Sequence, residues 1–218
     1  QGNLSANEIL NQFRSLPEFS TITNIVYMGM GEPLDNLTEV LKSLEIMTSE
    51  WGYAWSPTRI TVSTVGLLAP VKEFLEKSRC HLAVSLHSPF DEERRKLMPV
   101  QKTNTIAEVL NNIRNFDFNS QRRVSFEYIL FEGINDTPVH IKELAKILNG
   151  IKCRINIIRF HEIPGSEFKS PGVEETNRFK EALNAKGILT TVRASRGEDI
   201  QAACGLLSTL NQNKPELK

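Results

Sequence analysis

Short β-branched runs alternate with segments of three-and-four apolar spacing along the whole chain, and this alternation limits the fold most. The runs Ile22–Met30, Arg59–Thr64, His81–His87, Arg123–Phe131, Arg154–Phe160 and Ile188–Arg193 read as strands. Between them, Asn36–Ser49, the segment marked by Leu68, Val71, Phe74 and Leu75, Asp91–Leu97, Thr105–Phe116, Pro138–Leu148 and Val173–Lys186 read as helices. A last helix is expected over Asp199–Leu210. No linker or low-complexity tract interrupts the series, so residues 1–218 are expected to form one domain. Strands that alternate with helices pair in parallel and carry the helices on the outside. About six strands are too few for a closed eight-strand barrel of roughly 250 residues. A doubly wound sheet or a partial, open parallel βα barrel remains. The chain begins on a helix, Asn3–Leu16, with Ser5 as its N-cap. A βα unit normally begins with its strand, so this helix reads either as an ordinary leading helix or as a sign that a first strand lies upstream of this sequence.

Lysine plus arginine equals aspartate plus glutamate, 26 each, so no global charge draws the chain to nucleic acid. No apolar run is long enough to cross a membrane, and the first residues show no signal-peptide pattern. Cys80, Cys153 and Cys204 are odd in number and widely spaced, which fits reduced thiols and a cytoplasmic protein better than disulfides. Their spacing, with no C-x2-C, also argues against a metal site built from these cysteines alone.

Functional groups in parallel βα folds collect at the carboxyl ends of the strands. Ile25–Leu34 reads I-V-Y-M-G-M-G-E-P-L, a strand that breaks into a turn before a helix. Gly29 and Gly31 permit positive φ and close approach of a ligand, and Pro33 suits a helix start. Glu32 reads either as an exposed turn acid or as an acid aimed into a pocket. The other strand ends supply Ser63 and Thr64, Ser85 and His87, Glu127, His161 and Glu162, and Arg193 with Arg196. A rim of carboxylate, hydroxyl and imidazole suits a zwitterionic or nucleoside-like molecule. No G-x4-G-K-[ST] phosphate loop is present. Cys204 has only small neighbours in Ala202, Ala203 and Gly205. It reads either as a packed helix cysteine or as a thiol activated by Arg193 and Arg196. The clusters Arg94-Arg95-Lys96 and Arg122-Arg123 read as solvated faces or as contacts to RNA phosphate.

Taken together, M-G-M-G-E-P-L-D-N (Met28–Asn36), V-S-T-V-G (Val62–Gly66), L-A-V-S-L-H (Leu82–His87), F-E-G-I-N-D (Phe131–Asp136) and R-G-E-D-I-Q-A-A-C-G (Arg196–Gly205) resemble the RlmN-type radical S-adenosylmethionine RNA methyltransferases. The resemblance implies an open parallel βα barrel of the radical S-adenosylmethionine type. It implies methylation of adenine C2 in 23S ribosomal RNA and in transfer RNA, with S-adenosylmethionine and a [4Fe–4S] cluster as cofactors. Gly31 and Glu32 would hold the methionine amino group, and Ser63 with Ser85, Leu86 and His87 would complete the site. His161 stands where the family usually has an asparagine, in R-F-H-E-I-P-G. Cys204 would carry the methyl group, because C2 is an electron-poor carbon that a sulfonium cannot methylate directly. A deoxyadenosyl radical would then take hydrogen from the S-methyl group, and the target base would have to leave its stack.

The resemblance further implies a reducing partner such as flavodoxin, a monomer and no membrane. The family's cluster motif, C-x3-C-x2-C, precedes a segment like G-N-L-S-A-N-E-I-L, which here is Gly2–Leu10. The chain is therefore expected to lack the cluster loop, an upstream resolving cysteine and an amino-terminal domain, and to be inactive alone. The related Cfr-type enzymes, which methylate C8, and a non-catalytic nucleoside-binding βα domain are the alternatives.

Overall fold

The computed structural model describes residues 2–98, 104–118, 124–160 and 167–193. Among the described residues six strands lie side by side, all parallel: β1 (Ile25–Tyr27), β2 (Ile60–Thr64), β3 (His81–Ser85), β4 (Val124–Leu130), β5 (Cys153–Arg159) and β6 (Leu189–Val192). Their order across the sheet is their order in the chain. A doubly wound sheet reverses direction at a switch point. Here every crossover steps the same way, as around a barrel, and the sheet stays open with β1 and β6 at its edges.

Helices α1 (Ala6–Arg14), α2 (Leu37–Thr48), α3 (Leu68–Lys77), α4 (Asp91–Leu97), α5 (Ile106–Arg114), α6 (Pro138–Ile147) and α7 (Val173–Ala185) fall on the predicted segments, trimmed by a few residues. Capping explains the edges. Ser5 and Thr105 form capping boxes with Glu8 and Glu108, and Pro138 starts α6. The helix expected over Asp199–Leu210 lies outside the described residues. The first strand is shorter than the predicted Ile22–Met30: Phe19–Thr21 forms a 3-10 turn before it, and the chain bends at Gly29–Gly31 after it.

Strand alternation sorts the two faces of the sheet. Ile60, Val62, Leu82, Val84, Val124, Phe126, Ile155 and Ile157 join the core beneath the helices. The opposite, concave face carries Thr61, His81, Ser125, Glu127, Arg154 and Asn156. That polar face leaves a lumen, unlike the apolar packing that fills a closed barrel.

Beyond the last paired residues, diverging strands leave backbone groups that need partners. Side chains supply them junction by junction. Glu32 at the end of β1 accepts from Val65 N–H beyond β2 at 2.7 Å. Arg94 donates to Val65 O at 2.8 Å, Ser85 O at 2.6 Å and Leu86 O at 3.0 Å, tying β2 to β3. Asn135 donates to His87 O and Ile129 O, both at 2.7 Å, tying β3 to β4. Within the paired ladder, Asn156 on β5 adds side-chain ties, donating to the Glu127 carboxylate on β4 and accepting from the Thr191 hydroxyl on β6.

Arg94 corrects the sequence reading. It is fully buried, so the Arg94-Arg95-Lys96 run is not three solvated cations or RNA contacts. Burial lowers its pKa to about 10, still far enough above neutrality to keep the guanidinium charged. Arg94→Met keeps the aliphatic stem and strands the three carbonyls that the guanidinium serves. It is expected to lower unfolding free energy by about 3–5 kcal/mol, read as an earlier urea midpoint, with Arg94→Lys recovering only part.

Candidate functional site

The cavity at the carboxyl edge of the sheet begins at the turn after β1. Gly31 has φ +90°, and a Cβ placed on it would meet nothing within 4 Å. The positive φ selects glycine, and the open space leaves the backbone bare toward the cavity. Glu32 then caps the 3-10 turn Pro33–Asn36: Oε1 accepts from Leu34 N–H at 2.9 Å, while Oε2 takes Val65 N–H at 2.7 Å. Each carboxylate oxygen retains a second acceptor position. Glu32 is thus both a brace and an acid on the cavity wall.

Ser63, Thr64, Ser85 and His87 line the same cavity. Thr64 Oγ1 accepts from Gly66 N–H at 3.0 Å, so that hydroxyl shapes the loop after β2. Gly66 has φ +98°, and a Cβ there would lie 3.3 Å from Val109 and 3.7 Å from the Arg94 guanidinium. The V-S-T-V-G segment is therefore a turn fitted around Arg94.

Ser85 and His87 do not continue one strand. β3 ends at Ser85, and His87 adopts φ +54°, a left-handed conformation that costs energy outside glycine. Three contacts hold it there. His87 Nδ1 accepts from Ile129 N–H at 3.0 Å, its carbonyl accepts from Asn135, and its own N–H reaches Glu127 O at 3.4 Å. With Nδ1 an acceptor, the ring proton sits on Nε2. Burial pushes the imidazole pKa down to about 3, with the Arg94 charge acting in the same direction. This wall therefore offers a neutral imidazole. The side chain of Leu86 lies in the core, so only its backbone serves the rim: its N–H donates to Glu127 O and its carbonyl accepts from Arg94.

Glu127 and Arg193 close the far side of the cavity, with Arg193 Nη1 3.6 Å from Glu127 Oε2 and 3.1 Å from Met28 Sδ. Asn135, Asn156 and Arg94 are contributors the sequence reading missed. Two sit in no periodic pattern, and Arg94 hides in a charge run. The Gly133–Asp136 turn, where Gly133 has φ +69° and donates to Asp136, was the available sign for Asn135. His161 and Cys204, with Glu162 and Arg196, lie outside the described residues.

An acid, hydroxyls, a neutral imidazole and bare glycine backbone fit a zwitterionic nucleoside such as S-adenosylmethionine. A cluster finds no such fit here. Among the described residues, no group of three histidine, cysteine, aspartate or glutamate side chains could hold a metal ion. Cys80 is buried, and burial raises the Cys153 thiol pKa to about 12, away from the thiolate a metal needs.

Comparison with known proteins gives the same direction. The sequence model of the Radical SAM superfamily matches residues 1–146. A probable dual-specificity RNA methyltransferase RlmN of Porphyromonas gingivalis (strain W83) is 58% identical over 217 residues, covering 100% of this chain and 63% of that protein. One of Bacteroides thetaiotaomicron is 56% identical over 97% of this chain and 61% of its own length. A crystal structure of a radical SAM methyltransferase from Sphaerobacter thermophilus superimposes with a TM-score of 0.87 at 40% identity, over 94% of this chain and 62% of that one. The chain thus spans 61–63% of these relatives' lengths.

The buried imidazole predicts a pH dependence with a definite sign. Between about 3 and 6.5 the unfolded chain protonates this histidine and the folded chain does not. Its contribution to stability is therefore complete above pH 6.5 and is lost as pH falls toward 3. His87→Asn, which tolerates the left-handed backbone and cannot titrate, is expected to flatten that part of the stability–pH curve in urea unfolding.

Proposed function

The chain belongs to the Radical SAM superfamily, and from that premise we propose that it is the core of an RNA methyltransferase acting on adenine C2 in 23S ribosomal RNA and transfer RNA. The observation that carries the reading is 58% identity along the whole chain to a protein named as a dual-specificity RNA methyltransferase. The superfamily's cofactors are S-adenosylmethionine and a [4Fe–4S] cluster. Bound S-adenosylmethionine supplies the methyl group and the radical chemistry.

This chain's residues bind and orient. The bare backbone at Gly31 and the remaining acceptor positions of Glu32 take the ammonium of the methionyl end. Ser63 and Ser85 offer hydroxyls, the Leu86 backbone holds the rim in place, and His87 offers a neutral N–H donor. His161 takes the place of an asparagine that would hydrogen-bond the cofactor. Cys204 carries the methyl group, which requires its thiolate. A flavodoxin-like reductant, a monomeric state and a cytoplasmic setting complete the proposal.

In a host that lacks such an enzyme, the intact protein is expected to restore 2-methyladenosine to both RNAs. Cys204→Ala is expected to reduce it below about one-hundredth, as for loss of a covalent catalyst. Nucleoside mass spectrometry decides: 8-methyladenosine, or unimpaired methylation by the variant, would refute the reading. The 218-residue sequence contains no C-x3-C-x2-C. Reconstituted anaerobically by itself, it is expected to bind no cluster and to be inactive. A ratio of about four irons per chain would contradict this.

A further inference from the structure

The F-E-G-I-N-D motif, Phe131–Asp136, builds a turn around one buried amide. Asn135 is fully buried, so it touches no ligand in the cavity. Gly133 has φ +69° and donates to Asp136 Oδ1 at 3.0 Å, which closes the turn. Tyr128 fixes the Asn135 backbone, its hydroxyl donating to Asn135 O at 2.7 Å. The side chain is used on every side. Oδ1 accepts from Phe131 N–H at 2.7 Å, and Nδ2 donates to His87 O and to Ile129 O, both at 2.7 Å. Both amide hydrogens are thus committed. An ionised aspartate has no donor, a serine has one, and a glutamine is a methylene longer, so asparagine alone supplies this set at this reach.

The two hydrogens hold a strained turn. Ser88 N–H donates to Leu86 O at 2.7 Å across three residues, and His87 at the centre has φ +54°. Three-residue turns with positive φ are rare and strained, and a residue other than glycine stays in one only where its surroundings hold it. Asn135 grips the turn at His87 O, while Ile129 N–H donates to His87 Nδ1 at 3.0 Å. Ile129 O takes the other Asn135 hydrogen, so the amide locks His87 and Ile129 to each other. That lock commits Nδ1 to β4 and leaves Nε2–H for the cavity that His87 lines. We propose that Asn135 is a positioning residue for the cofactor: it fixes the ring orientation and the tautomer with which His87 meets S-adenosylmethionine. The identity of the ligand rests on the cofactor reading above, and the lock itself does not.

Nitrogen NMR of the histidine rings and calorimetry, both on the intact protein at neutral pH, test this without turnover. The native His87 signal, identified by its loss in His87→Asn, is expected to show a neutral ring protonated on Nε2 alone. Asn135→Asp keeps the acceptor for Phe131 N–H and removes both donors. It is expected to mix the two tautomers and to weaken binding of S-adenosylhomocysteine by about 3- to 10-fold, the effect of losing about one hydrogen bond. Leu183 is buried near the end of α7, where the chain turns into β6 at the opposite end of the sheet from the rim. Leu183→Ala loosens the core there and is expected to leave the tautomer unchanged and the affinity within about 2-fold. A merely structural role for Asn135 would lower stability in Asn135→Asp and leave tautomer and affinity as in the native protein, which overturns the proposal. An equal loss of affinity in Leu183→Ala overturns it too, as does a native His87 protonated on Nδ1. If Asn135→Asp does not fold, the native protein still decides. Its Asn135 side-chain hydrogens are expected to exchange with water at least about 100-fold more slowly than those of exposed Asn149, and equal exchange overturns the lock. Failure of the native protein to bind S-adenosylhomocysteine would overturn the cofactor reading, while the His87 tautomer, which needs no ligand, still decides the lock.

Discussion

The buried guanidinium of Arg94 is the interaction on which the rim depends. Three carbonyls at the ends of β2 and β3 converge on it, at 2.6–3.0 Å. A hydrogen bond to a charged donor is stronger than a neutral one, and more so away from water. The arrangement lets the strands diverge at their carboxyl ends without stranding backbone acceptors. Divergence is what opens a cavity at that edge. A neutral side chain in the same place could not serve three acceptors from one rigid plane.

Arg94 is one of a series. Glu32 bridges β1 to β2, Arg94 bridges β2 to β3, Asn135 and His87 bridge β3 to β4, and Asn156 links β4, β5 and β6. Each staple is a polar side chain that satisfies backbone or polar partners on a neighbouring strand. Several of them also line the cavity. Glu32 and His87 are thus staples and cavity wall at once, and a substitution at either acts on the strand ties and on the cavity lining together. This sharing explains why a buried histidine is held at φ +54°, where a glycine would be easier. The strained backbone turns the imidazole so that Nδ1 serves β4 while the ring borders the cavity.

The alternation of runs made the βα architecture legible, and strand-end position made Gly31, Glu32, Ser63, Ser85 and His87 legible as one rim. Periodicity could not choose between a doubly wound sheet and an open barrel, because both share the same local pattern; strand order decides that, and strand order is a tertiary fact. Arg94 was misread for a related reason. A charge run looks solvated unless the carbonyls that receive it are known, and those come from segments 8, 9 and 29 residues away. Asn156 was invisible because an amide on a strand has no periodic signature, and Asn135 was signalled only by the Gly133–Asp136 turn around it. Leu86 divides its parts between core and rim: its side chain joins the core and its backbone serves the rim.

The two acids of the cavity illustrate how burial and satisfaction separate roles that composition cannot. Glu32 stands on the rim with both oxygens already accepting backbone N–H groups. Whatever it offers a ligand is residual acceptor capacity and negative charge, directed by a brace that exists without the ligand. Glu127 is more deeply buried, and its satisfaction is lopsided: one oxygen has two donors and the other has none among the described residues. A buried carboxylate is tolerated when hydrogen bonds and a cation share its charge, and here the hydrogen bonds fall on one oxygen and the cation on the other. Glu127 stands where two cavities meet, and the Arg193 guanidinium 3.6 Å from its second oxygen supplies the balancing charge that a buried carboxylate requires.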